Sequence, residues 1–310
     1  MPSSEEPRCQ PEPLQSGCES FPPGAADLRR ETEHDGRGVE PIRQSDPERG
    51  VWVYPEFGIG RIRDGVRRPE FQVACLEMGG RRVASDDLRN DVERITRDQI
   101  PLLETHFNHV LADEGFPTRR DIGRLAGVDG LSSKSVQEIV AALTLLVRCF
   151  GKITDGRYAR VQMVTERGPR KLELEGGERP RSFHIDEARL RLVATLVGAP
   201  TVFALRGGDK GGGFCELGRL EEPDHPLDRS PSTQGKFDLS SAVAANYRSL
   251  MNPDFLRPGE PLYTPPHGHA VLFSGSHGAL SAPLVHTAPQ PRTLEEALAW
   301  SRLVLIVDEY

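Results

Sequence analysis

Phe183-His184-Ile185-Asp186 is the stretch on which the reading of this 310-residue chain turns. In an extended strand, residues two apart point to the same face, so His184 and Asp186 can bring an imidazole and a carboxylate to one point. Alone the triplet is weak, because a strand end with a solvated aspartate carries the same letters. Its weight comes from the order of features downstream of it. Pro265-Pro266-His267-Gly268-His269 reads as a turn feeding a strand from Ala270 to Phe273. A short Gly-Ser-rich hairpin leads to a strand from Pro283 to His286, and Arg302 to Asp308 forms a terminal strand that opens with a cation.

Two histidines and one carboxylate on one face of a metal leave three positions open, which is the ligand set of non-heme Fe(II) oxygenases. The second imidazole is best read as His286, which ends an apolar run just before the last strand; His267, His269 and His277 are the alternatives. A dipositive ion held by one carboxylate keeps a net charge of +1, which suits an anionic chelating co-substrate and dioxygen. Arg302 can offer a bidentate partner to a carboxylate at the far end of that co-substrate, with Arg292 and Arg191 as rivals. Arg160 and Gln162, on the strand before the His-x-Asp, are within reach of co-substrate or substrate.

The ordered set F-H-x-D, V-H-x-x-P at 285–289 and R-L-x-L-x-x-D at 302–308 resembles the Fe(II)/2-oxoglutarate-dependent oxygenase superfamily, including a poorly characterised bacterial domain family. The resemblance covers roughly residues 155 to 310. It implies a double-stranded β-helix core (jelly-roll or cupin-like) in which His184, Asp186 and His286 bind Fe(II). It also implies 2-oxoglutarate as co-substrate and O2 as oxidant, with oxidative decarboxylation to succinate and CO2 and hydroxylation or desaturation of a small molecule. Halogenases related to this family carry a small residue in place of the carboxylate; Asp186 is present here. The chain departs from the family in the long spacing between His286 and Arg302, where Thr293 to Trp300 reads as an inserted helical turn.

The rest of the chain frames this core. With 39 Lys and Arg against 46 Asp and Glu, the net charge of -7 argues against a nucleic-acid binder, which usually presents a basic field. No apolar run is long enough to span a bilayer, and no signal peptide is evident. Five cysteines without C-x-x-C spacing read as reduced thiols, so a cytoplasmic setting is expected. Residues 1–48 are rich in Pro, Glu, Ser, Arg and Gly and read as a disordered or extended arm. Residues 49–310 then form one catalytic domain: a helical and β support region over 49–151, and a core over 152–310 with a long insert at 207–260. The fold class is mainly β with flanking helices.

Within the support region, Val51 to Pro55 and Phe71 to Leu76 read as strands joined by a Gly/Arg-rich turn. Residues 86 to about 114 read as a helical region, with His106 and His109 three apart on it. The clearest helix runs from Ser133 to Phe150, whose Val136, Ile139, Val140, Leu143, Leu146 and Phe150 share one face. Ser132 or Ser133 caps its start and Gly151 its end. Arg157 to Thr165 and Lys171 to Glu175 alternate as strands, Leu190 to Val197 reads as a longer apolar strand, and Thr201 to Leu205 follows a Gly-Ala-Pro turn. Trp52 and Trp300 read as core aromatics, Asp224-His225-Pro226 as a surface turn, and the glycine triplet at 211–213 as part of a loop, since no helix and lysine come after it.

Two other functions use the same ligands. One is a cupin-like metal-binding protein, loaded with zinc and serving metal handling or regulation. The other is a metal-dependent hydrolase or isomerase. The identity of the substrate and the oligomeric state leave no mark in the sequence.

Overall fold

A computed structural model describes residues 39–55, 58–78, 84–97, 104–109, 117–127, 129–154, 158–166, 183–205, 261–277 and 283–309. The Lys171 to Glu175 segment, the glycine triplet and the 207–260 insert lie outside the described residues.

Two β-sheets form the frame. The larger runs in the order β2 (Val51–Tyr54), β3 (Val73–Glu77), β9 (His269–Ser274), β6 (Leu190–Val197), β11 (Arg302–Glu309), β5 (Ala159–Glu166) and β4 (Glu104–His109). The smaller runs β1 (Val39–Pro41), β8 (Leu262–Thr264), β7 (Val202–Ala204) and β10 (Val285–Thr287). Most pairings are antiparallel, while β2 with β3 and β1 with β8 are parallel. Helices α1 (Ile59–Val66), α2 (Asp86–Arg97), α3 (Arg119–Ala126), α4 (Ser133–Thr154) and α5 (Leu294–Leu298) complete the described elements.

Strand alternation divides the large sheet into two unlike faces. On one, Leu303, Leu305 and Val307 of β11, Val161 and Met163 of β5, Leu192 of β6 and Leu272 of β9 meet Ile139, Leu143, Leu146 and Phe150 of α4 in a single apolar cluster. Each such side chain removed from water contributes roughly 2 kcal/mol, so this layer is the mechanical base of the fold. On the other, Val193, Val271, Phe273 and Val304 pack against Phe203 and Tyr263 of the small sheet. The two sheets therefore stack face to face, and their inner faces enclose the candidate site.

Several elements differ from expectation for identifiable reasons. The linker between β2 and β3 holds helix α1 rather than a turn, as a parallel strand pair requires a crossover longer than a tight turn. The helical region expected from 86 divides: α2 is a helix, but Glu104–His109 is the edge strand β4, paired with β5. His106 and His109 thus sit on a strand, not on one helix face. Helix α4 starts where expected, with the Ser132 hydroxyl accepting from Ser135 N. It runs through Gly151 to Thr154 because Ile153 still finds the apolar cluster. Of the segment expected to be a disordered or extended arm, the described residues form the strand β1 and bury Ile42, whose amide donates to Thr264 O. Trp52 is buried and stacks on Phe71 with centroids 5.6 Å apart; Trp300 is only half-buried. The helical turn expected before Arg302 is α5, capped by the Thr293 hydroxyl accepting from Glu296 N.

Candidate metal centre between the sheets

Strand pairing alone brings the two imidazoles together. His184 continues the small sheet beyond β10 as an isolated antiparallel bridge to His286. Its amide donates to His286 O at 2.9 Å, and the His286 amide donates back to His184 O at 3.0 Å. Such a pair puts both side chains on the same face. His286 is in turn the partner of Phe203, and Phe203 of Tyr263. The row His184, His286, Phe203, Tyr263 thus crosses the small sheet on its inner face, the face on which Phe203 and Tyr263 meet the large sheet. The intervening Phe183, Ile185, Val285, Val202 and Ala204 pack together on the opposite face.

Asp186 lies two residues after His184 and joins the same side. His286 Nε2 lies 3.0 Å from Asp186 Oδ2 and His184 Nε2 lies 3.7 Å from Asp186 Oδ1. The two imidazoles have centroids 4.5 Å apart, and one ligand atom from each of the three residues falls within 4.8 Å of the others. Side-chain exposure is 31% for His184, 11% for Asp186 and 7% for His286, so the cluster opens on its His184 side.

The immediate surroundings orient these groups. His286 Nδ1 faces Leu284 O at 3.3 Å, a contact that orients the ring with Nε2 toward Asp186. The His286 ring also packs against Phe273 at 4.7 Å between centroids. Asp186 is held from behind by backbone: Ser276 N donates to Asp186 O at 2.7 Å. That approach requires Gly275, since a Cβ there would meet Ala188 O at 2.0 Å and Asp186 O at 2.6 Å.

Facing this row, a second row crosses the large sheet: Phe273 of β9, Arg191 of β6, Asp308 of β11 and Arg160 of β5 are successive partners. The Arg191 guanidinium grips Asp308 in a bidentate pair, Nε to Oδ1 at 2.6 Å and one terminal nitrogen to Oδ2 at 2.8 Å. Its other terminal nitrogen lies 2.5 Å from Asp186 Oδ2. Burial would raise the Asp186 carboxyl, but His286, Arg191 and His184 hold it well below the ordinary carboxylate range. For Asp308, burial prevails over the opposing pull of Arg191 and pushes the carboxyl up.

At the other end of the same face of β11, Arg302 is buried at 3% exposure. Its Nε donates to Ala199 O at 2.8 Å and a terminal nitrogen donates to Thr201 Oγ1 at 3.1 Å. Gly198, with φ +85°, makes the turn that carries these partners; a Cβ there would meet Ser301 O at 2.2 Å. Thr201 precedes Phe203 by two residues, so Arg302 reaches the small sheet about 7 Å along the strand from the His286 row.

The structure therefore brings His184, Asp186 and His286 together and places the rival residues elsewhere. His267 and His277 are exposed in turns, and His269 begins β9 with Nδ1 at 3.3 Å from His267 O. Arg292 is exposed before α5, whereas Arg191 is engaged by two protein carboxylates. Asp308 is the residue that sequence reasoning gave no role. The signal was available: it shares strand parity with Arg302 and is a charge among apolar alternations. Cys75 lies on the inner face, but burial pushes its thiol up to about 12, which makes it a packing residue rather than a nucleophile.

No family model and no curated protein matches the chain. Among solved structures, it is similar to a full-length Neurospora crassa protein in complex with alpha-KG and 5-formyluracil, at 12% identity and TM-score 0.35, covering 83% of each chain. It is also similar to the Arabidopsis thaliana dioxygenase for auxin oxidation 1 in its complex with 2-oxoglutarate, at 10% identity and TM-score 0.35, covering 87% of this chain and 92% of that one. A dioxygenase for auxin oxidation from rice comes next at 13% identity and TM-score 0.33, covering 81% of this chain and 76% of that one. These structures superpose only loosely on the chain.

Proposed function

We propose that the chain is an Fe(II)- and 2-oxoglutarate-dependent oxygenase that hydroxylates or desaturates a small molecule, built on a double-stranded β-helix core. The observation that carries this reading is the convergence of His184, Asp186 and His286 on the inner face of the small sheet. The Asp186 carboxylate faces both rings, with Oδ2 3.0 Å from His286 Nε2 and Oδ1 3.7 Å from His184 Nε2. Two imidazoles and one carboxylate fit an octahedral dipositive ion and leave half of its positions to other ligands.

Bound there, Fe(II) would supply oxygen activation coupled to the oxidative decarboxylation of 2-oxoglutarate to succinate and CO2. The chain's own residues provide the rest. Leu284 O orients the His286 ring, and the Arg191 guanidinium lies against the Asp186 carboxylate. Arg302, buried and oriented by Ala199 and Thr201, is the cation we assign to the far carboxylate of the co-substrate. Arg160 and Gln162 face the same interior by strand parity, on the side where substrate would enter. The acidic net charge of the chain supports a small molecule over a nucleic acid as that substrate.

Protein reconstituted with Fe(II) should release one succinate per 2-oxoglutarate consumed when oxygen is admitted, and Arg302→Ala should weaken 2-oxoglutarate binding while leaving metal content intact. A fully metal-loaded chain that binds no 2-oxoglutarate would defeat the oxygenase reading and favour a zinc-type metal protein on the same ligands.

A further inference from the structure

We infer that Asp308 and Arg191 are positioning residues for Asp186, an inference that rests on the metal reading of the site. Asp308 is fully buried on a strand whose other inner-face residues include Val304 and Ile306. Burying a carboxylate and a guanidinium there gains little stability, since a well-packed apolar pair of similar volume commonly does as well or better. The geometry supplies a different reason. Asp308 takes the Nε edge of the Arg191 guanidinium with both oxygens, at 2.6 and 2.8 Å. A planar fork held on one edge has its remaining nitrogen fixed in direction, and that nitrogen lies on Asp186 Oδ2 at 2.5 Å.

This arrangement fixes the direction of the Asp186 carboxylate. Oδ2 is engaged by Arg191 and faces His286 Nε2 at 3.0 Å, while Oδ1 faces His184 Nε2 at 3.7 Å. The Asp186 carboxylate is thereby held in one orientation toward both imidazoles, ready to ligate a metal between them. Arg191 also offsets the charge of Asp186 between the sheets. Lysine cannot replace it, because an ammonium lacks the second edge that reaches the second carboxylate.

The test is metal affinity, read on the whole chain with Co(II) under oxygen-free conditions, by titration and by the visible Co(II) spectrum. Loss of support behind a metal ligand typically costs about ten- to a hundred-fold in affinity, and Asp308→Asn and Arg191→Lys are each expected to show a loss of that order. The double variant should lose no more than Arg191→Lys alone, because both changes cut one chain of contacts. Arg189→Gln, which breaks a neighbouring ion pair to Glu309 away from Asp186, should leave affinity unchanged. A folded Asp308→Asn that binds Co(II) as tightly as the unaltered chain, with the same spectrum, would overturn the inference. Should Asp308→Asn fail to fold, Arg191→Lys retains the charge beside Asp308 and decides by the same readout. If the unaltered chain binds no Co(II), the metal reading falls and this inference with it; if it binds and both variants match it, the positioning role alone falls.

Discussion

The two faces of the large sheet are made by the same strands and serve different ends. On β11, Leu303, Leu305 and Val307 point to the helices and join an all-apolar layer. Arg302, Val304, Ile306 and Asp308 point between the sheets, with charge at both ends of the row and aliphatics between. Nearly everything on both faces is buried, so burial does not tell them apart. Chemistry does: the helix-side face gains from every side chain it hides, whereas the inner face hides Arg302, Asp308 and Asp186 at a desolvation cost that packing alone does not require. Such groups, kept where aliphatics would fit, are the ones the proposed function uses.

That contrast can be broken most severely at the site. His286→Ala should reduce bound metal to background by elemental analysis while the melting temperature of the metal-free chain stays near that of the parent. The helix-side face should answer in the opposite sense. Leu305→Ala, at a fully buried position, should cost about 3 kcal/mol in denaturant unfolding yet leave one metal per folded chain. Gly275→Ala falls between these outcomes, because its Cβ would collide with the carbonyls of Ala188 and Asp186. A stability loss of about 2 kcal/mol together with weaker metal binding is expected, and unchanged binding would show that the Asp186 backbone tolerates the shift. A smaller effect of opposite sign is expected at Gly123 inside α3, where a Cβ meets nothing within 4 Å. Gly123→Ala should raise stability by about 0.5–1 kcal/mol with no effect on metal.

The smallest effect concerns acid. Burial would raise the Asp91 carboxyl, but hydrogen bonds from the Ser135 hydroxyl and the Ser132 amide hold it at about 2, below its ordinary 3.8. A carboxyl lowered on folding stabilises the native state above its unfolded value, and that contribution is lost as pH falls from about 4 toward 2. Asp91→Asn should therefore flatten the fall of stability over that window, measured by denaturant titration at each pH.

Much of this was legible in the sequence because strand alternation is local. The parity of His184 with Asp186, the apolar face of α4 and the isolated cation opening β11 are all fixed by spacing within a few residues. The pairing of His184 with His286 is separated by about a hundred residues of chain, and letters alone left four histidines in contention; hydrogen bonding between strands resolves which imidazole meets His184. The grip of Arg191 on Asp308 was hidden for the same reason, since adjacent strands place them together while the sequence holds them apart. Helix α1 and strand β4 went unread because an Arg- and Gly-rich segment and a polar, His-containing one carry little periodicity, and tertiary pairing decides their form.

The most direct test of the proposed site is the absorption spectrum of the chain titrated with Fe(II) and then 2-oxoglutarate in the absence of oxygen. The expected result is a weak visible metal-to-ligand band that appears only when both are present, saturates at one equivalent of each, and is lost in His184→Ala. A chain that takes up Fe(II) stoichiometrically but develops no such band with 2-oxoglutarate, or a His184→Ala variant that retains it, would contradict the proposed site.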